Sequence, residues 1–171
     1  METVTINILR ASVLADMKVM SHGEVAVIAD PTERYLAELG TEKEEAAQQC
    51  ITDAATEVRS VLRPMLAEAT AASATDAYDT GAIAYAMQVT ERKAHGLADA
   101  LTKAVHAYIV DAALDKFYGS VSRNDLAERH RARLAAEMAT IGNIIYHRTA
   151  PSYVPYTPTS NDNPEDNDSQ E

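Results

Sequence analysis

Five histidines (His22, His95, His106, His130, His147) and one cysteine, Cys50, are the side chains of this sequence best suited to ligate a metal ion or attack a substrate. A metal centre needs ligands clustered at helical spacings of three or four. Glu91 and His95 have that spacing, but no second pair accompanies them. Solvated or capping histidines therefore account for the set, and no metal or cofactor is expected. His130 falls on the apolar stripe of a helix, where a hydrogen-bonded core or interface histidine is expected before a ligand. Cys50 adjoins Ile51 on another stripe and reads as a buried, inert thiol. The phosphate-loop, dinucleotide and nucleophile-elbow glycine motifs are absent from the sequence. The Glu44/Glu45 pair reads as a dipole-matched helix start and not as an acid–base pair. No enzymatic activity is expected, and an unrecognised site on a helical bundle is the least favoured alternative.

Cationic chemistry is concentrated in "SRNDLAERHRAR", where Arg123 precedes Arg129, Arg131 and Arg133. Arg129 and Arg133 share a helix face at i,i+4. The readings of this cluster are a solvated face, a protein interface and a nucleic-acid contact. The net charge is −11, and its distribution narrows the choice. Residues 1–91 carry −9, residues 92–148 carry +3 and residues 149–171 carry −5. An acidic chain is a poor general DNA binder, because affinity for nucleic acid comes mainly from cations neutralising phosphates. A chain with one acidic and one basic part can pair with copies of itself. Arg123, Arg129, Arg131 and Arg133 are therefore expected to face Glu42, Glu44 and Glu45 of an adjacent subunit.

The elements that must position these residues are mostly helices. Hydrophobic residues make up 46% of the 171 residues, enough for the core of one domain, and with no Trp and one Phe that core is mainly aliphatic. "VTINIL" and "IAYAMQV" alternate with period two and read as strands, the second pairing with residues 4–9 or with another subunit. Ser21 with Glu24 suggests a capping box for a short helix ending near Asp30-Pro31. "PTERYLAEL" adds a turn or two, closed by Gly40. Thr41 caps a helix whose stripe runs Ala47, Ile51, Ala54, Val58, Val61 and Met65, with Pro64 at its end. Residues 69–82 are small and polar and read as a loop. A second stripe runs Leu97, Leu101, Val105, Tyr108 and Ala112, with Gly119 as its terminating residue. Ser120 or Ser122 starts a third helix, striped by Leu126, His130, Leu134, Met138, Ile141 and Ile145.

The stretch 106–133 is thus a helix–turn–helix joint. Its second helix is too long and one-sidedly apolar for the DNA-reading kind. The expected fold is mainly α: an antiparallel bundle of three long helices with short N-terminal helices and a minor β element. Residues 1–40 form an N-terminal segment, 41–148 the core and 149–171 a flexible acidic tail rich in Pro, Tyr and Asn. No signal peptide or membrane span is expected, and one cysteine suits a cytosolic setting.

"ITDAATEVRSVLRPML" resembles the helix of tailed-bacteriophage head–tail connector (adaptor) proteins with the pattern D-A-x-x-x-[IV]-x-x-x-L, matched by Asp53, Ala54, Val58 and Leu62. "LTKAVHAYIVDAALDKFYGSVSRNDLAERHRARLAAEMATI" resembles their following helix pair, entered here through Glu128-Arg129. The likeness covers about residues 45–147. It implies a non-enzymatic virion protein of the neck, made in the host bacterial cytoplasm. Such proteins form a ring, usually dodecameric, between the portal and the next tail or neck protein. DNA passes through the channel without sequence-specific binding. In that setting Tyr153, Val154 and Tyr156 of the tail would lie extended on a neighbour. The alternative is a cytosolic helical binding module or regulator that contacts nucleic acid through the Arg-rich helix.

Overall fold

A computed structural model describes residues 2–67, 81–89 and 96–146. The chain is mainly helical with one small antiparallel sheet. Strand β1 (Glu2–Leu9) leads directly into helix α1 (Arg10–Val25). Helix α2 (Pro31–Ala37) and a 3-10 turn (Thr41–Lys43) precede α3 (Glu44–Leu62). A second 3-10 turn (Arg63–Met65) follows, then β2 (Ala82–Val89), α4 (Leu97–Ser120) and α5 (Asn124–Tyr146).

Period-two alternation decides the sheet. Val4, Ile6 and Ile8 of β1 and Ile83, Tyr85, Met87 and Val89 of β2 are buried on one face. The strands pair antiparallel from Glu2 opposite Val89 to Leu9 opposite Ala82. The partner of the second strand is thus residues 2–9 of the same chain. Beyond the ladder the Arg10 N–H donates to the Gly81 carbonyl at 2.9 Å, and Gly81 adopts φ 67°, a conformation open to glycine.

The apolar stripes position the helices around α4, which packs against α5, α3, α1 and β1. Residues from Tyr108 to Leu114 are buried without interruption. A run buried on every side belongs in a core, and over residues 108–114 neighbours cover the whole helix, whereas Asp99, Ala100, Lys103 and Ala107 of its first half face solvent. The single sequence stripe of Leu97, Leu101, Val105, Tyr108 and Ala112 therefore describes only one of its contacts. α5 turns back along α4, placing Arg131 beside Asp115 and His130 beside Asp111. Leu126, His130, Ile141 and Ile145 of the α5 stripe are buried, whereas Leu134 and Met138 are only partly covered.

Several local expectations are corrected. Ser21 lies inside α1, fully buried, and its hydroxyl accepts the Leu39 N–H at 3.0 Å instead of capping a helix. Helix α1 buries Arg10, Val13, Met17, Ser21 and Val25. Two polar members on that line hide it from an apolar-periodicity reading. Asp30 is the N-cap in this region, accepting from the Thr32 and Glu33 N–H groups ahead of α2, with Pro31 at the first helical position. α2 ends at Ala37, and Gly40 sits at φ −78° before the 3-10 turn. Thr41 opens that turn and α3 begins at Glu44. The α3 stripe ends in Leu62, fully buried, while Val61 is exposed. Pro64 falls in the turn after the helix, where its missing N–H costs no helical bond.

The α4–α5 joint also differs. Gly119 remains helical, and Ser122 takes the left-handed position at φ 60°. The Arg123 N–H reaches back to the Tyr118 carbonyl at 2.9 Å, a bond that closes the helix end. α5 then starts at Asn124, and the Ala127 N–H donates to the Arg123 carbonyl, so neither Ser120 nor Ser122 is its cap. Residues 68–80, which include most of the expected loop, and the tail with Tyr153, Val154 and Tyr156 lie outside the described residues.

Candidate functional site

The most concentrated chemistry is a polar cluster buried where α1, α4 and α5 meet. Asp111 enters from the fully enclosed part of α4, and Tyr118 follows two turns later on the same face. His130, Arg133 and Glu137 project from α5 at spacings of three and four. Glu24 comes from the last turn of α1. His130 Nδ1 lies 2.5 Å from Asp111 Oδ1, and Nε2 lies 3.0 Å from Glu24 Oε2. The Tyr118 hydroxyl donates to the same Glu24 oxygen at 2.8 Å, and its ring stacks on the imidazole at 5.6 Å between centroids. Arg133 Nη1 approaches Asp111 Oδ1 at 3.5 Å.

The electrostatics follow from this geometry. Burial works against a charged imidazole, but hydrogen bonds to Asp111 and Glu24, with their charges, outweigh it and hold His130 at about 9. Burial alone would raise Glu24 and Asp111, yet the His130 contact overcomes it and both carboxyls are lowered. Glu137 goes the other way: burial and the neighbouring Asp111 push it up to about 8. At neutral pH two carboxylates, one imidazolium, one guanidinium and one protonated carboxyl therefore meet with no net charge.

This arrangement braces three helices. The imidazole is wholly enclosed, and both ring nitrogens already donate to carboxylates. It has no nitrogen left for a substrate or a metal ion. Among the described residues no group of three or more His, Cys, Asp or Glu side chains is arranged to hold a metal ion. Glu91 and His95 lie outside the described residues. Cys50 is half-buried, and burial, then Asp53, raises its thiol, the reverse of an activated nucleophile.

The hydrogen-bonded core histidine expected at position 130 is found, but its partners were not anticipated. Asp111 left one trace: a lone carboxylate within "YIVDAAL" on an otherwise apolar run. Glu137 left another, two turns after His130 on the same helix face. Glu24 is 106 positions from His130, and no local pattern links them.

The expected interface residues fall in two stretches: Arg123 just ahead of α5 with Arg129, Arg131 and Arg133 on it, and Glu42 in the first 3-10 turn with Glu44 and Glu45 at the start of α3. Arg123 bonds Asp125 at 2.9 Å and approaches Glu33 at 3.5 Å. Arg131 bonds Asp115 at 2.8 Å, and Arg133, itself half exposed, reaches Asp111 at the rim of the buried cluster. Arg129 is exposed on α5. On the acidic side, Glu44 pairs with Lys18, Glu42 lies 3.9 Å from Lys43, and Glu45 is exposed. No helix among the described residues is long and apolar enough to cross a membrane. No family model, no curated protein and no solved structure matches the chain.

Proposed function

We propose that the chain is a ring-forming head–tail connector of a tailed-phage virion, a structural protein with no catalytic step of its own. α3, α4 and α5 would form the bundle that builds the ring wall between portal and tail, around a channel for DNA. The resemblance of residues 45–147 supplies the class. The observation that carries the assembly is the separation of charge. A basic α5 face and an acidic turn at the start of α3 sit on different elements of one chain. Two complementary but distinct patches make a head-to-tail contact, the kind that closes into rings.

The pairing of most arginines refines this reading. Arg123, Arg131 and Arg133 have carboxylate partners in their own chain, which would repel a phosphate brought to the same groups. That weighs against the nucleic-acid regulator. It also makes Arg129 the cation most available to a neighbour, with Arg123 and Arg131 able to share their partners. Rim ion pairs contribute below about 1 kcal/mol each, but a ring repeats them at every interface.

Arg129→Glu is expected to abolish ring closure at moderate salt with helicity unchanged, and Glu42→Lys with Glu45→Lys in the same chain is expected to restore part of it. Arg133 is left intact, because an acid there would face Asp111 and Glu137. Native mass spectrometry reads the outcome. Rings of unchanged size and salt tolerance in Arg129→Glu would exclude this contact.

A further inference from the structure

Among the described residues, one edge of the small sheet has no backbone partner. The Ala67 N–H donates to the Ala86 carbonyl on the side of β2 away from β1. Ala86 stands opposite Thr5, so this pair turns its main-chain groups away from the β1–β2 ladder. The bond from the Arg10 N–H to the Gly81 carbonyl fixes the same alternation at the other end. Val4, Ile6 and Ile8 thus bond β2, and Thr3, Thr5 and Asn7 point their N–H and C=O groups outward. Among the described residues β1 packs chiefly on β2, α4 and α1. α4 lies under its buried face and α1 continues from its end. The side chains of Thr3, Thr5 and Asn7 are exposed. The far edge of β2 differs, because Leu66 and Ala67 already bond there.

We propose that the outer edge of β1 pairs antiparallel with β1 of a second copy across a two-fold axis at Thr5, giving a four-stranded sheet. The register follows from the groups available. Leu9 is the residue before α1, and its carbonyl belongs to the first helical turn. That leaves Thr3, Thr5 and Asn7, whose centre is Thr5. In this register Thr5 exchanges two hydrogen bonds with its copy, and Thr3 and Asn7 bond each other's copies. Cross-strand threonine pairs are favourable, and like charges directly opposite are not. Antiparallel pairing sets each Glu2 opposite Ile8 of the other copy, whereas parallel pairing would set the two Glu2 carboxylates together. An eight-residue edge with no proline, no bulge and no lysine also lacks the usual devices that keep edges apart. The contact uses none of Arg129, Glu42 or Glu45, so it stands independently of the connector reading.

The test is sedimentation velocity of the full chain over a concentration series. Wild type is expected to reach the mass of two chains, or of an even number of chains where rings also form. Thr5→Lys and Thr5→Glu each place like charges at the axis and are expected to lose that pairing. An equimolar mixture of the two is expected to regain it. Thr5 lies on the solvent face and its main chain does not bond β2, so both variants keep the fold, as circular dichroism would register. Amide exchange of wild type gives a reading free of substitution: Thr3, Thr5 and Asn7 become protected as concentration rises. A wild type monomeric throughout the series would overturn the proposal, as would variants that associate like wild type, a mixture that fails to associate, or these three amides remaining unprotected in the dimer.

Discussion

His130→Leu is expected to lower folding stability by about 3–5 kcal/mol, the usual loss when one member of a buried ion pair is removed. For a chain of this length that is a drop on the order of 10 °C in melting temperature. The leucine fills most of the space, so the loss is chiefly electrostatic. Asp111 and Glu24 would be left enclosed with their shared cation gone, and Arg133 reaches only Asp111.

The pH dependence carries the same claim with a definite sign. The folded-state value of His130, about 9, lies above its ordinary 6.5. Its stabilisation is therefore complete below 6.5 and is lost as pH rises through 9, on the order of 3 kcal/mol in all. Glu137, raised to about 8 from 4.5, acts in the same direction, since ionising it in place beside Asp111 is unfavourable. Wild type should lose stability steadily between pH 6.5 and 9. His130→Leu should be flatter over that window and should gain stability on mild acidification, as its unpaired carboxyls take up protons. Equal melting temperatures for the two chains at neutral pH would contradict this account of the cluster.

Tyr85→Ala is expected to cost about 3–5 kcal/mol, the range for deleting a buried aromatic ring. Tyr85 is 1% exposed, and its hydroxyl donates to the Ala55 carbonyl of α3 at 2.8 Å. The ring fills the space between the sheet and the helices, and the hydroxyl fixes the sheet to one helix. Tyr85→Phe separates these roles. It keeps the ring and should cost about 1 kcal/mol, the net worth of one hydrogen bond. Ala55 is a helical residue, so its carbonyl is not left without a partner. Urea midpoints measure both. A Phe variant as unstable as the Ala variant would show that the hydroxyl, and not ring packing, holds the sheet.

What was legible in the sequence follows the range of each signal. Strand alternation is local, so β1 and β2 were visible, and only their partnership needed three dimensions. The stripes of α3 and α5 were visible because one side of each faces solvent. α1 was hidden because Arg10 and Ser21 share its buried line and make it read as polar. α4 was visible as a helix but not as the centre, since its segment 108–114, enclosed on all sides, gives a run and not a stripe. Gly119 drew the helix end toward itself by residue type, yet the left-handed turn fell on Ser122. The Glu24–His130–Asp111 cluster joins three helices, and its partners share no spacing in the chain. Arg131 and Arg133 stood out as an interface because their cation run is local, while Asp115 and Asp111, which bind them, lie on another helix.

The central claim is assembly into a connector ring, and imaging tests it most directly. Purified chain, alone and mixed with a phage portal, would be examined by negative-stain electron microscopy. The account predicts rings with an open channel that stack coaxially on the portal, and their loss in Arg129→Glu. Particles no larger than a dimer under both conditions, together with steeply salt-dependent DNA affinity, would contradict it and favour the regulator.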